Sequence, residues 1–143
     1  MAQSGKLPND GPGSPASSRP TRLADESQLD FELGFFEGIL QEHGNYIDAL
    51  RVMGSLLALK GRFAEGLKID RRLVRLRPTD ALARYNLACS YALLNRVEQS
   101  LRTLRQAVEL GYRDFRYMRE DNDLDAIRKD PRFRQLLHEY DKG

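Results

Sequence analysis

Asp121, Asp123 and Asp125 alternate with the spacing at which a calcium loop presents its first three oxygen ligands. Such a loop also needs a glycine at its sixth place, for a sharp turn, and a glutamate at its twelfth, for bidentate closure. Ala126 and Arg132 stand there instead, so calcium is not expected. Cys89 is the single cysteine, which excludes a disulfide scaffold, and only His43 and His138 could join it at a zinc centre. Cys89 therefore reads as a small packing residue rather than a nucleophile. His43 reads as a helix C-terminal residue meeting the dipole, and His138 as a surface residue. The glycines are scattered, so no loop cradles a phosphate. Serine, histidine and aspartate do not gather at a strained elbow. Gly34 and Gly38 have helix-packing spacing, in a segment too polar for a membrane dimer. The expectation is a chain with no catalytic residues, no cofactor and no metal: not an enzyme.

Composition agrees. The 143 residues are 41% apolar and 31% charged, and suit one domain. The 23 basic and 21 acidic residues leave a net charge of +2, so no general pull toward nucleic acid follows. No apolar run is long enough for a membrane span. The start, MAQSGKLPND, lacks the apolar core of a secretion signal, and the expected location is cytoplasmic.

The elements that must position any site begin after residue 26. Residues 1–26 hold Pro8, Pro12, Pro15 and Pro20 and few large aliphatics, too few to offset the entropy of ordering the backbone, and read as a disordered tail. Beyond it the apolar spacing is helical throughout, without strand-like alternation. Leu29, Leu33, Phe36 and Leu40 fall on one face of a helix over 28–43, with Gly44 at its C-cap. Helices follow over 47–60, stopped by Gly61; 63–77, stopped by Pro78; 81–94, started by Thr79-Asp80; and 97–110, closed by Gly111. Connections this short make sequential helices antiparallel neighbours.

Residues 47–80 and 81–114 are each 34 long and align without a gap. Leu50/Arg84, Met53/Leu87, Gly54/Ala88, Leu57/Tyr91, Gly61/Asn95, Leu67/Leu101 and Leu76/Leu110 pair across the register. Small residues at Gly54/Ala88 and Gly66/Ser100 would let paired helices approach. Gly61 and Asn95 hold the turn, where a left-handed backbone is needed.

These residues resemble the tetratricopeptide repeat (TPR) family. The first repeat matches its pattern at Leu50, Met53-Gly54, Leu57, Gly66 and Pro78, and the second at Leu87-Ala88, Tyr91 and Ala107. Asp70 and Leu104 replace the second-helix aromatic, Arg84 the bulky opening residue, Leu73 a small one, and Tyr112 the closing proline. The resemblance implies an all-α solenoid of antiparallel helix pairs, with domain 27–143 built from full repeats 47–80 and 81–114. Helix 28–43 would cap one end, since Glu32 at a small-residue place is tolerable only with no first helix opposite. In the terminal segment 115–143, residues 115–119 would open a truncated third first helix, and 121–140 resembles the endings of bacterial members, with Asp130-Pro131 starting a closing helix and Phe133, Leu136 and Leu137 covering the last repeat.

The resemblance also implies a concave groove, walled by first helices, for an extended peptide or helix of a protein partner. Its places here are Asp48, Arg51, Val52, Ser55 and Leu59, then Leu82, Tyr85, Asn86, Cys89 and Leu93, then Arg116 and Arg119. Arg51, Asn86 and Arg116 stand where some members clamp a terminal carboxylate, although Ser55 replaces one clamp asparagine. The alternative is a self-associating structural or regulatory subunit, since Phe31 and Phe35 lie beside the buried stripe of the first helix and could join a homo-oligomer. Charge is also patterned: five acids and no base over 28–48, then eight bases against Glu65 and Asp70 over 51–77. An anionic partner is one reading. The preferred one is mutual neutralisation, acidic cap beside basic second helix. Aromatics do not interleave with these bases as nucleic-acid stacking would require.

Overall fold

The structure is a computed structural model that describes residues 22–142. Among these it has eight α-helices and no strand: α1 (Arg22–Glu42), α2 (Ile47–Lys60), α3 (Phe63–Leu76), α4 (Ala81–Leu93), α5 (Val97–Glu109), α6 (Phe115–Glu120), α7 (Asp125–Arg128) and α8 (Pro131–Tyr140). A 3-10 turn, Asn122–Leu124, precedes α7. The tail reading falls mostly on residues 1–21, outside the described part. The capping helix starts at Arg22, six residues before the expected Gln28, with Leu23 and Ala24 in its first turn. No described helix is long and apolar enough to cross a membrane.

Local chemistry repeats with the register. At the end of α2, Gly61 has φ +83°, its N–H donates to Ala58 O, and Arg62 N–H donates to Leu57 O at 2.9 Å. At the end of α4, Asn95 has φ 59° and Arg96 N–H donates to Tyr91 O at 2.9 Å. Both turns satisfy orphan carbonyls through a left-handed residue, as the two aligned positions require. The starts repeat likewise. Asp80 accepts from Ala83 N–H and caps α4; Asp114, one register on, accepts from Tyr117 N–H and caps α6. Asp130 caps α8 ahead of Pro131. Gly44 differs from expectation. It is not left-handed, and a methyl there would lie 2.5 Å from the Arg72 guanidinium, so the glycine makes room for a side chain of α3.

Packing runs along the row of helices. Leu33 of α1 joins Met53, Leu56 and Leu57 of α2; Leu50, Leu73 and Ala83 link α2, α3 and α4; Leu67 meets Leu87 and Tyr91. The largest cluster joins α4 and α5 to the C-terminal segment through Leu104, Val108, Met118, Leu124, Ile127, Phe133 and Leu136. Each such fully buried aliphatic contributes roughly 1.5–3 kcal/mol of transfer free energy. The C-terminal segment thus closes the last repeat as expected.

The small residues act in two different ways. Ser100 is buried and its hydroxyl donates to Ala88 O at 2.8 Å, tying α5 to α4. At Gly54 the close neighbour is not backbone. A methyl there would sit 2.6 Å from Asp70 Oδ1, whereas Gly66 has ordinary contact room.

Candidate functional site

On α2, Asp48, Val52, Ser55 and Leu59 are all exposed and recur at helical spacing, so they form one face. Leu59 is 76% exposed. On α4, Leu82 is 55% exposed, with Asn86 and Leu93 half-buried. Arg51 is half-buried and bridges to Asp80, the cap of α4. It therefore joins the repeats, holding the Asp80 carboxyl below its usual range along with the Ala83 amide, against the opposing effect of burial. Arg116 is exposed and contacts Glu120 at 3.9 Å; Arg119 bridges to Asp141 at 2.7 Å. Arg51, Asn86 and Arg116 thus do not stand together as three free side chains.

Tyr85 and Cys89 are a correction to the expected groove. They are only 2% and 6% exposed, because the C-terminal segment covers them. Tyr112 stacks on Tyr85 with centroids 4.2 Å apart and planes 2° from parallel. The Tyr85 hydroxyl donates to Asp121 Oδ2 at 2.7 Å, and the Cys89 thiol donates to the same oxygen at 3.7 Å. Asp121 Oδ1 accepts the Asp123 N–H at 3.0 Å. Cys89, Asp121 and Asp123 place their ligand-type atoms within 4.8 Å of one another. Burial and the Asp121 charge push the Cys89 thiol well up, and burial pushes the Tyr85 hydroxyl up, so both stay protonated donors rather than anions. Asp125, the third member of the alternating series, is exposed and pairs with Arg128 instead. The arrangement ties α4 to the C-terminal segment, and Asp121 meets two side chains that sequence spacing did not connect to it.

A second buried carboxylate lies between the repeats. Asp70 of α3 accepts from the Ser90 hydroxyl of α4 at 2.5 Å and lies against Gly54 of α2. Burial raises its pKa to about 6, the Ser90 hydrogen bond opposing. The sequence showed Asp70 only as a missing aromatic. The signal that could have found its partners is the coincidence of Gly54 and Ser90, one small and one hydroxyl-bearing, on the two first helices that α3 touches.

The acidic cap and the basic second helix do not neutralise each other in the expected way. Glu26 and Asp30 of α1 pair with Lys60, and Glu37 with Arg62, both at the α2–α3 turn. Among the described residues Lys68, Arg71, Arg72 and Arg75 form no ion pair. On α1 itself Phe31 and Phe35 are 70% and 57% exposed.

No protein-family model matches the chain. Among curated proteins it is similar to a chloroplastic protein of Arabidopsis thaliana, at 35% identity over 93 residues. The match takes in 63% of this chain and spans only 28% of that protein's length. Among solved structures it is similar to MamA (41-end) from Desulfovibrio magneticus RS-1, with a TM-score of 0.59, 21% identity, and coverage of 81% of this chain and 68% of that one. The MamA RS-1 ArsTM double mutant gives 0.58 and 21%, covering 85% and 72%. At such identities the likeness speaks for the fold. Together with two helix pairs in one 34-residue register, it shows that this chain folds as a TPR-like helical solenoid.

Proposed function

We propose that the chain is a non-catalytic interaction module that docks a peptide or helix of a partner protein against the α2/α4 face. One observation carries the reading: Val52, Leu59 and Leu82 stay exposed on that face in a fold that buries most of its other aliphatics. The solenoid fold supports it, because stacked helix pairs present extended binding surfaces. Asp48, Ser55 and Asn86 supply polar contacts beside the apolar ones, while Tyr85 and Cys89 serve from beneath by fixing α4. Arg51 is left out of the test, since its ion pair holds the cap of α4.

Leu59→Asp with Leu82→Asp changes two exposed side chains and should leave the helical circular dichroism intact. It should remove the set of proteins that the wild-type chain captures and mass spectrometry identifies. An unchanged captured set overturns the reading. A second reading rests on Phe31 and Phe35: self-association through α1. Light scattering decides it, and a concentration-independent monomer rejects it. The cytoplasm is retained as the proposed compartment; the relative named for the chloroplast makes the plastid the alternative, which imaging of a tagged chain in its source cell separates.

A further inference from the structure

Lys68, Arg71, Arg72 and Arg75 recur at i, i+3, i+4 and i+7, so they share one side of α3. They line one open hollow of about 520 Å³. Lys68 and Arg72 also line a second, of about 570 Å³, between α1 and α3. Its floor is apolar: Leu40, Met53, Leu57 and Ile69. The two hollows share two cations and form one groove with an apolar floor and a cationic wall. Glu37 and Glu65 also line the second hollow, and Arg62 engages both of these acids.

The second repeat provides an internal comparison. At the places one register on stand Arg102, Arg105, Gln106 and Glu109. The hollow there is smaller, about 280 Å³, and ion pairs to α8 span it, Arg132 with Glu98 at 2.8 Å and Arg105 with Glu139 at 2.7 Å. The solenoid thus narrows one such groove with α8 and leaves the other wider and charged.

We infer that the α1/α3 groove is a second docking surface, whose occupant is an acidic amphipathic helix of another protein. Aliphatic side chains on one side of that helix meet Leu40 and Ile69, and its carboxylates meet the cations of α3. Charge complementarity selects this occupant. Residues 1–21 of the chain carry Lys6 and Arg19 against Asp10 alone, and so cannot neutralise the wall. A second copy would bring an α1 whose Glu26, Asp30 and Glu37 are already paired, leaving only Glu32 and Glu42 of that helix's described side chains to meet four cations. The apolar floor lies below the cations, which suits a rod entering a groove better than a flat anionic surface.

The probe is a synthetic 14-residue helical peptide, matched to the length of α3, with leucine on one face and glutamate on the flanks. The full chain should bind it, with affinity falling as salt rises, and should bind the peptide with glutamine for glutamate far less. The triple variant Lys68→Glu, Arg71→Glu, Arg75→Glu alters exposed side chains only, and its thermal melt should match the wild type. Each exposed ion pair is worth a factor of about two to five, so the variant should lose roughly ten- to a hundredfold in affinity. Leu59→Asp with Leu82→Asp should leave the affinity unchanged, which separates this groove from the α2/α4 face. Equal binding of the two peptides, no binding of either, loss of binding only in the Leu59/Leu82 variant, or charge-dependent binding of phosphatidylglycerol vesicles but not of the peptide each overturns the proposal.

Discussion

Asp70→Asn should stabilise the chain at neutral pH and leave it nearly unchanged at pH 4. Asp70 is 7% exposed, among the described residues its sole side-chain hydrogen-bond donor is the Ser90 hydroxyl, and burial raises its pKa from 3.8 to about 6. A carboxyl with a raised folded pKa binds its proton more tightly in the native chain than in the unfolded one. Between pH 3.8 and about 6 the native state therefore carries more protons, and stability falls as pH rises through that window. Each pH unit is worth 1.36 kcal/mol, so the ionised group costs about 3 kcal/mol at pH 7, an order-of-magnitude figure. Asparagine keeps an acceptor for Ser90 and carries no charge. Its amide N–H group is left without an evident partner, which returns about 1 kcal/mol of the gain. The net expectation is about 2 kcal/mol in favour of Asn at pH 7. Carboxyls whose pKa is lowered, such as Asp80 and Glu65, stabilise in the opposite sense, toward higher pH. The quantity to measure is therefore the difference between variant and wild type. Urea unfolding followed at 222 nm from pH 4 to pH 8 gives it. Parallel stability curves over that range would refute the argument that burial perturbs Asp70.

Three further outcomes follow from neighbouring geometry. Gly54→Ala places a methyl 2.6 Å from Asp70 Oδ1 and should cost roughly 1–3 kcal/mol; in an Asp70→Ala background the cost should shrink, which a double-mutant cycle in urea measures. Asp80→Ala removes the cap of α4 and the partner of Arg51 and should cost about 1–2 kcal/mol, whereas Asp80→Asn keeps the cap and should cost less, by thermal melts of both. Cys89 should react with a thiol-specific disulfide reagent at the rate of global unfolding, because the thiol is buried and held protonated; prompt reaction of the native chain would contradict its place under Asp121 and Tyr112.

The register, the turns and the caps were legible in the sequence because each depends on residues within one turn of a helix. Gly61 and Asn95 needed a left-handed backbone wherever the helices went, and Asp80 could cap from its own position. The contents of the groove were less legible. Tyr85 and Cys89 occupy first-helix places that face a partner in an open repeat, and only the fold of the irregular segment that follows α5 buries them. That segment contains Tyr112 and Asp121, whose effect depends on three-dimensional closure rather than on spacing.

Charge shows the same division between local and lateral chemistry. An acidic helix followed by a basic one invites a reading of mutual neutralisation, and the ion pairs do form. They form at Lys60 and Arg62, where the α2–α3 turn brings cations to the flank of α1, and not along α3. Helical phase decides this. Glu26, Asp30 and Glu37 of α1 reach Lys60 and Arg62, whereas Lys68, Arg71 and Arg75 stay exposed along α3 and pair with none of them. Neutralisation of the whole segment, true as arithmetic, therefore leaves α3 with a charged side of its own. Its neighbour in the register, α5, has lost that charge at Gln106 and Glu109 and is partly covered by α8. A chain with two nearly equivalent grooves has narrowed one with its own terminal helix and kept the other wide, and the wide one is where a second partner contact is to be sought.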